Sequence, residues 1–413
     1  MSSPSGSGSQ TGDGSPSSSV VYDHEPFIAF NSRVLDLATS TIWPGSPSTD
    51  IRVERLKGGG FNRVIGLARQ SPGAQPGDEG QFILRVPRFE AAKVGNQVAI
   101  LDFIHQHTAI PAPEVLTFDE TEGTDIGSPY IVQNRIAGVD LHSSFPKLGH
   151  EQKCRVAREL GGVFKQILSV RSSVSGRLVL SMNGKSGKRA IHVAPFWLDS
   201  TSLALTKPYG GPLADESTKS LLTTAFLSRK SSELERNTLG TVGSRLWDRF
   251  CEMTAELERG GWLTDRWSAL SHLDLAPRNI LVDPTDDERL PIITGILDWD
   301  SAVLAPLFMS CALPAWIWAW QEDEDEDERT ANDTPTAREG RQLKALFEES
   351  AGNDYMRLAY EPAYRLARRL VRFAINGLRS NEDFREAKAM LQEWKECQSL
   401  YREKGFVLPE QKK

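Results

Sequence analysis

The sequence predicts an α+β protein in two lobes, a small sheet-rich N-lobe over residues 49–137 and a larger, mainly helical C-lobe over 138–413. Three observations predict this. Between Ile51 and Val86, short alternating apolar runs are broken by glycine-rich turns, which is the pattern of antiparallel strands. From Glu151 to Leu168, Val156, Leu160, Val163, Phe164 and Ile167 recur at helical spacing, and Leu366, Leu370 and Phe373 do the same between Ala363 and Ile375. Within the second lobe, Leu270-Ser-His-Leu-Asp-Leu-Ala-Pro-Arg-Asn-Ile-Leu-Val-Asp283 and Gly295-Ile-Leu-Asp-Trp-Asp300 set polar residues beside short apolar runs.

Those two segments carry the chemistry. His272, Asp274 and Asn279 form an H-x-D-x-x-x-x-N array, with Asp298 and Asp300 downstream. Ile280–Val282 and 290–297 read as two buried strands joined by the polar turn 285–289, a hairpin that holds the Asp274–Asn279 loop at one end and Asp298 past the other. Transfer of a phosphoryl group to a hydroxyl needs a carboxylate to receive the proton and hard oxygen ligands for Mg2+. Asp274 suits the first task, Asn279 and Asp298 the second. The plainer alternative is that these are ordinary turn acids, since Asp and Asn favour turns; the occurrence of all the positions with the hairpin argues against it.

The region resembles the catalytic core of the aminoglycoside phosphotransferase and choline kinase group, small-molecule kinases whose pattern is similar to H-G-D-x-x-P-x-N-I-L followed by I-D-W-E. Pro277, Trp299 and Pro306 stand where that group would place them. Protein kinases show H-R-D-L-x-x-x-N, D-F-G and A-P-E instead. Here Leu273 replaces the Arg, Trp299-Asp300 replaces Phe-Gly, and no A-P-E follows. The resemblance covers most of residues 49–310 and implies a protein-kinase-like fold, ATP and Mg2+ as cofactors, and a small hydroxylated acceptor.

The same resemblance assigns roles upstream. Gly58, Gly59, Gly60, Phe61 and Asn62, between two strands, look like the group's nucleotide-covering loop, where glycines let backbone N–H groups approach phosphate. In the strand Gln81–Val86, Arg85 stands where the group usually carries a phosphate-binding Lys. In the following helix, 93–106, Val94, Val98, Leu101 and His105 are expected on an inward stripe, with Gln97 where the group offers a Glu to that cation. Gln133, Asn134 and Ile136 resemble the adenine-binding hinge, before a glycine turn that leads into helix. Arg85 and Gln97 together leave a second reading open, a catalytically degenerate nucleotide-binding pseudokinase.

Bulk properties narrow the rest. The 413 residues are enough for two cores. Residues 1–20, nearly all Ser, Gly, Pro, Thr and Gln, are expected to be disordered, and 21–48 to lead into the first strand. The start has no charged-then-apolar secretory pattern, so a cytoplasmic location is expected. Four scattered cysteines without C-x-x-C spacing point to free thiols. The net charge of −7 equals the run of seven acids Glu322–Glu328, so no basic face suggests nucleic acid. That run, in a loop expected over 321–337, is either solvated or a lure for a cationic acceptor. The uncharged stretch 304–320 is interrupted by Pro306 and Pro314, so it is expected in the core and not in a membrane; Trp316, Trp318 and Trp320 are either packing or an aromatic pocket. Arg365, Arg368, Arg369 and Arg372 are expected on a solvated helix face.

Overall fold

A computed structural model describes residues 28–56, 62–70, 80–88, 94–182, 189–194, 217–235, 241–285, 287, 289–320 and 330–403. By contacts the chain divides into two compact units, Met1–Val94 with Val115–Arg135 and Gly95–Glu114 with Ile136–Lys413. The expected tail 1–20, the loop residues Gly58–Phe61 and the acidic run lie outside the described residues.

The first unit is a helix, α1 (Ile28–Leu37), and one five-stranded antiparallel sheet. Its strands are β1 (Ile51–Arg55), β2 (Asn62–Arg69), β3 (Gln81–Pro87), β4 (Val115–Asp119) and β5 (Tyr130–Asn134), ordered β1-β2-β3-β5-β4. Alternation decides which side chains enter the core. Leu84 and Val86 pack with Ile65, Leu67, Val132 and, from α1, Val34 and Leu37. Arg85, between Leu84 and Val86, therefore projects to the opposite face, opposite Val64 and Ile131 in the two neighbouring strands.

A single cut at residue 137 does not describe the division. The helix α2 (Val94–His107) and the segment after it cluster with the second unit, because their hydrogen bonds lead there. Ala109 N–H donates to Gln166 Oε1 at 2.8 Å, and Ile296 N–H donates to Pro111 O at 2.7 Å. Val94, Val98 and Leu101 are buried as expected and so is Gln97, but His105 is exposed; Ile104 takes the inward position.

In the second unit, β6 (Val139–Asp140) leads directly into the short helix α3 (Leu141–Ser144), capped by Asp140. Gly138 makes this turn at φ +133°; a Cβ there would meet Thr294 Oγ1 at 2.6 Å. The amphipathic α4 (His150–Ser169) buries Val156, Leu160, Val163, Phe164 and Ile167. The segment 170–245 holds the hairpin β7 (Arg177–Met182) and β8 (Arg189–Ala194), the helix α5 (Thr218–Glu235) and the start of α6 (Thr241–Arg259). Then come β9 (Ser268–Ser271), β10 (Ile280–Val282), β11 (Ile293–Ile296) and β12 (Val303–Pro306). β10 pairs with β11 and β6, and β9 with β12, all antiparallel.

Four helices follow, α7 (Arg338–Ala351), α8 (Asn353–Tyr360), α9 (Pro362–Asn376) and α10 (Asn381–Glu403). The expected solvated arginine face of α9 holds for the exposed Arg372 but is corrected for the other three by their partners. Arg368 is buried and its guanidinium donates to Leu358 O at 2.9 Å and to Phe308 O and Ala359 O, while Arg365 and Arg369 pair with Glu393. Backbone carbonyls and a carboxylate from neighbouring elements supply what water would have supplied. Trp316 and Trp318 are buried, and Trp320 stacks on Phe145 at 4.9 Å between ring centres. Among the described residues no helix is long and apolar enough to cross a membrane, and all four cysteines are free thiols.

Candidate active site

Strand pairing anchors the loop that carries Asp274. β9 runs against β12 with Ser271 opposite Val303, and the buried Ser310 hydroxyl donates to Leu270 O at 2.9 Å. The Ser271 hydroxyl, 2.7 Å away, then serves as the donor to Ser310. Immediately after this strand Leu273 takes φ +65°, and Asp298 takes φ +60°. Among the described residues these are the only non-glycine residues with positive φ; one directly precedes Asp274 and the other is the expected metal ligand itself. Backbone strain of this kind persists only where surroundings over-determine it.

His272 is the tie between them. It is buried against Trp299, with 4.5 Å between ring centres. Asp274 N–H donates to its Nδ1 at 3.3 Å, which makes Nδ1 the acceptor and leaves Nε2–H to donate to Leu297 O at 2.9 Å. Burial pulls the imidazole down to about 4, with the Leu297 bond and the Asp274 charge acting against it, so the ring is neutral at physiological pH.

Asn279 completes the loop. The turn Pro277–Asn279 brings its buried side chain back onto Asp274: Nδ2 lies 2.8 Å from Asp274 O and 3.2 Å from Asp274 Oδ2. These bonds use the amide nitrogen, so the amide oxygen faces other tasks. Asn279 O in turn accepts from Leu297 N–H at 2.7 Å, next to the Ile280–Ile296 pair of the hairpin. Leu297 is thus bonded on one side to Asn279 and on the other to His272, and Asp298 follows at once with its side chain exposed. The hairpin is held from α4, where Glu159 accepts from Ile292 N–H at 3.0 Å and Ile293 N–H at 2.9 Å.

Sequence reasoning missed two participants. Arg278 donates to Asp274 Oδ1 at 2.5 Å, and its position four residues after Asp274 was the available signal. Glu159 was hidden because a carboxylate bonded to backbone N–H groups leaves no pattern in sequence.

The residues expected to bind nucleotide are distributed between the units. Asn62, Arg85, Gln133 and Asn134 sit on β2, β3 and β5 of the first unit. Gln97 and Ile136 belong to the second, where Ile136 lies over Gly295: a Cβ on that glycine would meet Ile136 Cδ1 at 2.9 Å. Asn62, Gln97 and Gln133 are buried, and the Oε1 atoms of Gln97 and Gln133 have no hydrogen-bond partner among the described residues. Gly58, Gly59, Gly60 and Phe61 lie outside the described residues.

The donor set fits Mg2+. Asn279 and Asp298 offer hard oxygens, and this ion is commonly held by one or two protein side chains with phosphate oxygens and water completing its shell. Among the described residues no cluster of three or more His, Cys, Asp or Glu could hold a metal by itself.

The family model for APH, the phosphotransferase enzyme family, matches residues 74–346, most of the chain, and takes in Arg85, Gln97, Gln133, Asp274, Asn279 and Asp298. The chain belongs to the phosphotransferase enzyme family. Its fold is accordingly the protein-kinase-like α+β fold, with a sheet-rich unit and a larger, mainly helical one. Among curated proteins, the phosphotransferase-family chain is 23% identical over 363 residues to a subtelomeric hrmA-associated cluster protein of Aspergillus fumigatus, covering 73% of this chain and 68% of that protein. Among solved structures, it is similar to the GDP complex of an aminoglycoside 2′-phosphotransferase IIIa variant, at 14% identity and a TM-score of 0.46, covering 90% of this chain and 98% of that one. A choline kinase from Cryptosporidium parvum gives 12% identity and a TM-score of 0.47, covering 91% and 98%.

Proposed function

We propose that this phosphotransferase-family protein moves the γ-phosphate of ATP to a hydroxyl of a small molecule. The observation that carries the proposal is the bonding of His272 and Asn279 to both Asp274 and Leu297, which draws the Asp274 loop and the start of the Asp298 turn together. Asp274 receives the proton of the attacking hydroxyl through its carboxylate. Asn279 and Asp298 hold Mg2+, which when bound offsets the negative charge of the phosphates. His272, kept neutral, orients the Asp274 backbone without adding a charge beside it. Arg85 meets phosphate oxygens, and Gly58, Gly59, Gly60, Phe61 and Asn62 cover the phosphates. Gln133, Asn134 and Ile136 bind the base; the unpartnered Gln133 Oε1 suits an adenine amino group as donor. The acceptor is hydroxylated, with an amine-bearing compound as one class, and the protein works in the cytoplasm.

The test is ADP release from Mg-ATP over a panel of hydroxylated metabolites, with aminoglycosides and choline included and Asp274→Ala as control. Turnover on some acceptor that Asp274→Ala reduces to a small residual rate supports the enzyme. The second reading, a degenerate nucleotide-binding module, rests on Arg85 and Gln97 in place of a Lys and a Glu. It expects ATP to raise the melting temperature equally with and without Mg2+ and to be turned over on no acceptor, whereas the enzyme expects the rise to need the metal.

A further inference from the structure

We propose that Arg278 is a positioning residue for Asp274, an inference that rests on reading Asp274 as the proton acceptor. The Asp274 side chain is 41% exposed, so packing does not hold its carboxylate. Hydrogen bonds must. Asn279 Nδ2 reaches Asp274 Oδ2 at only 3.2 Å and is closer to Asp274 O, at 2.8 Å, so its better bond fixes the backbone and not the carboxylate. Arg278 supplies the short contact, 2.5 Å to Oδ1, and a hydrogen bond between two charged groups is roughly twice as strong as one between neutral groups.

Local structure explains why this residue can do so. Pro277, with its fixed φ, opens the 3-10 turn Pro277–Asn279, which carries Arg278 and Asn279 as consecutive residues. One turn therefore addresses both carboxylate oxygens, Oδ1 from Arg278 and Oδ2 from Asn279. Each oxygen of an ionised carboxylate has two lone pairs, so the bond from Arg278 leaves one on Oδ1 for the incoming hydroxyl proton. Without the guanidinium, a half-exposed carboxylate turns among its rotamers, and misplacement of a reacting group by about 1 Å costs on the order of a hundredfold in rate. In this role Arg278 acts through Asp274, whose carboxylate it orients and which itself takes the proton.

The experiment measures ADP release from Mg-ATP, with water and with any acceptor found in the panel, for wild type, Arg278→Met, Arg278→Lys, Asp274→Ala and the Asp274→Ala/Arg278→Met double variant. Arg278→Met is expected to lower kcat by roughly tenfold to a hundredfold while KM for ATP and the melting temperature stay as in wild type. Arg278→Lys recovers part of the loss, since an ammonium restores the charge but not the planar fork. In the Asp274→Ala background, Arg278→Met has no further effect. Equal losses in both backgrounds, an unchanged kcat, or a loss matched by a lower melting temperature overturn the inference. If the wild type releases no ADP with any acceptor, or Asp274→Ala keeps full turnover, the reading of Asp274 itself fails, and that result is distinct from a silent Arg278→Met.

Discussion

His272 Nε2 donates to Leu297 O at 2.9 Å, so that one buried imidazole joins the loop of the expected base to the residue before the expected metal ligand. That bond needs a proton on Nε2, while the bond from Asp274 N–H needs Nδ1 bare, so both are made only by the neutral ring. A second proton would sit on Nδ1, which already accepts from Asp274 N–H, and the two would collide.

This makes stability depend on acidity. Burial lowers the His272 pKa from 6.5 to about 4, so between those values the unfolded chain holds a proton that the folded chain does not. The contribution is fully present above about pH 6.5 and lost as the pH falls toward 4, about 3 kcal/mol in all at ~1.4 kcal/mol per unit. Denaturant unfolding from pH 7 to 4 should show it, and His272→Gln should flatten that slope; an equal slope in the variant would contradict the assignment.

Leu273 stands at φ +65°, where the family pattern has glycine and where an L side chain is strained. Leu273→Val adds a β-branch to that conformation and should cost about 2 kcal/mol. Leu273→Gly relieves the strain but frees the unfolded chain, so it should stay within about 1 kcal/mol of wild type. Equilibrium denaturation of the pair reads the difference.

Gly161 and Gly162 are neighbours on α4 with opposite surroundings. A Cβ on Gly161 would meet Phe347 O and Ser350 Cβ of α7, each at 2.7 Å, whereas one on Gly162 would meet nothing within 4 Å. Gly161→Ala should destabilise by about 2 kcal/mol through overpacking. Gly162→Ala should stabilise by about 0.5–1 kcal/mol, because alanine favours helix. Thermal melts of the two variants should shift in opposite directions.

Asn279→Ala and Asp298→Asn should each raise the Mg2+ concentration needed for half-maximal ADP release by at least about tenfold, since each removes a hard oxygen or its charge. Asn279→Ala should also lower stability by about 1 kcal/mol, because Nδ2 no longer bonds Asp274 O. A magnesium titration of turnover beside a melting curve separates the two effects, and an unmoved titration midpoint would remove these residues from the metal site.

Local chemistry made part of this readable. The hairpin of β10 and β11 followed from two apolar runs around a polar turn, and α4 from its stripe, since period and turn composition are local properties. Arg278 offered only its spacing of four from Asp274, and Glu159 was not readable, because its bonds depend on where a helix face comes to rest. Arg368 misled for the same reason: charge spacing on a helix predicts solvent, but carbonyls of Phe308, Leu358 and Ala359 surround it. The segment 95–114 was assigned by order along the chain, whereas hydrogen bonds to Gln166 and Ile296 decide its unit.

By itself the sequence determined the family, the α+β class and the identity of Asp274, Asn279 and Asp298 as the residues to watch, because a spaced array of acid and amide groups beside short strands is written in consecutive residues. Tertiary structure alone decided that His272 is neutral and bonded to Leu297, that Arg278 sits on the Asp274 carboxylate, and that Leu273 and Asp298 bear positive φ. Protonation, carboxylate orientation and backbone strain are set by burial and by where hydrogen-bond partners come to rest, and those exist only once the chain has folded.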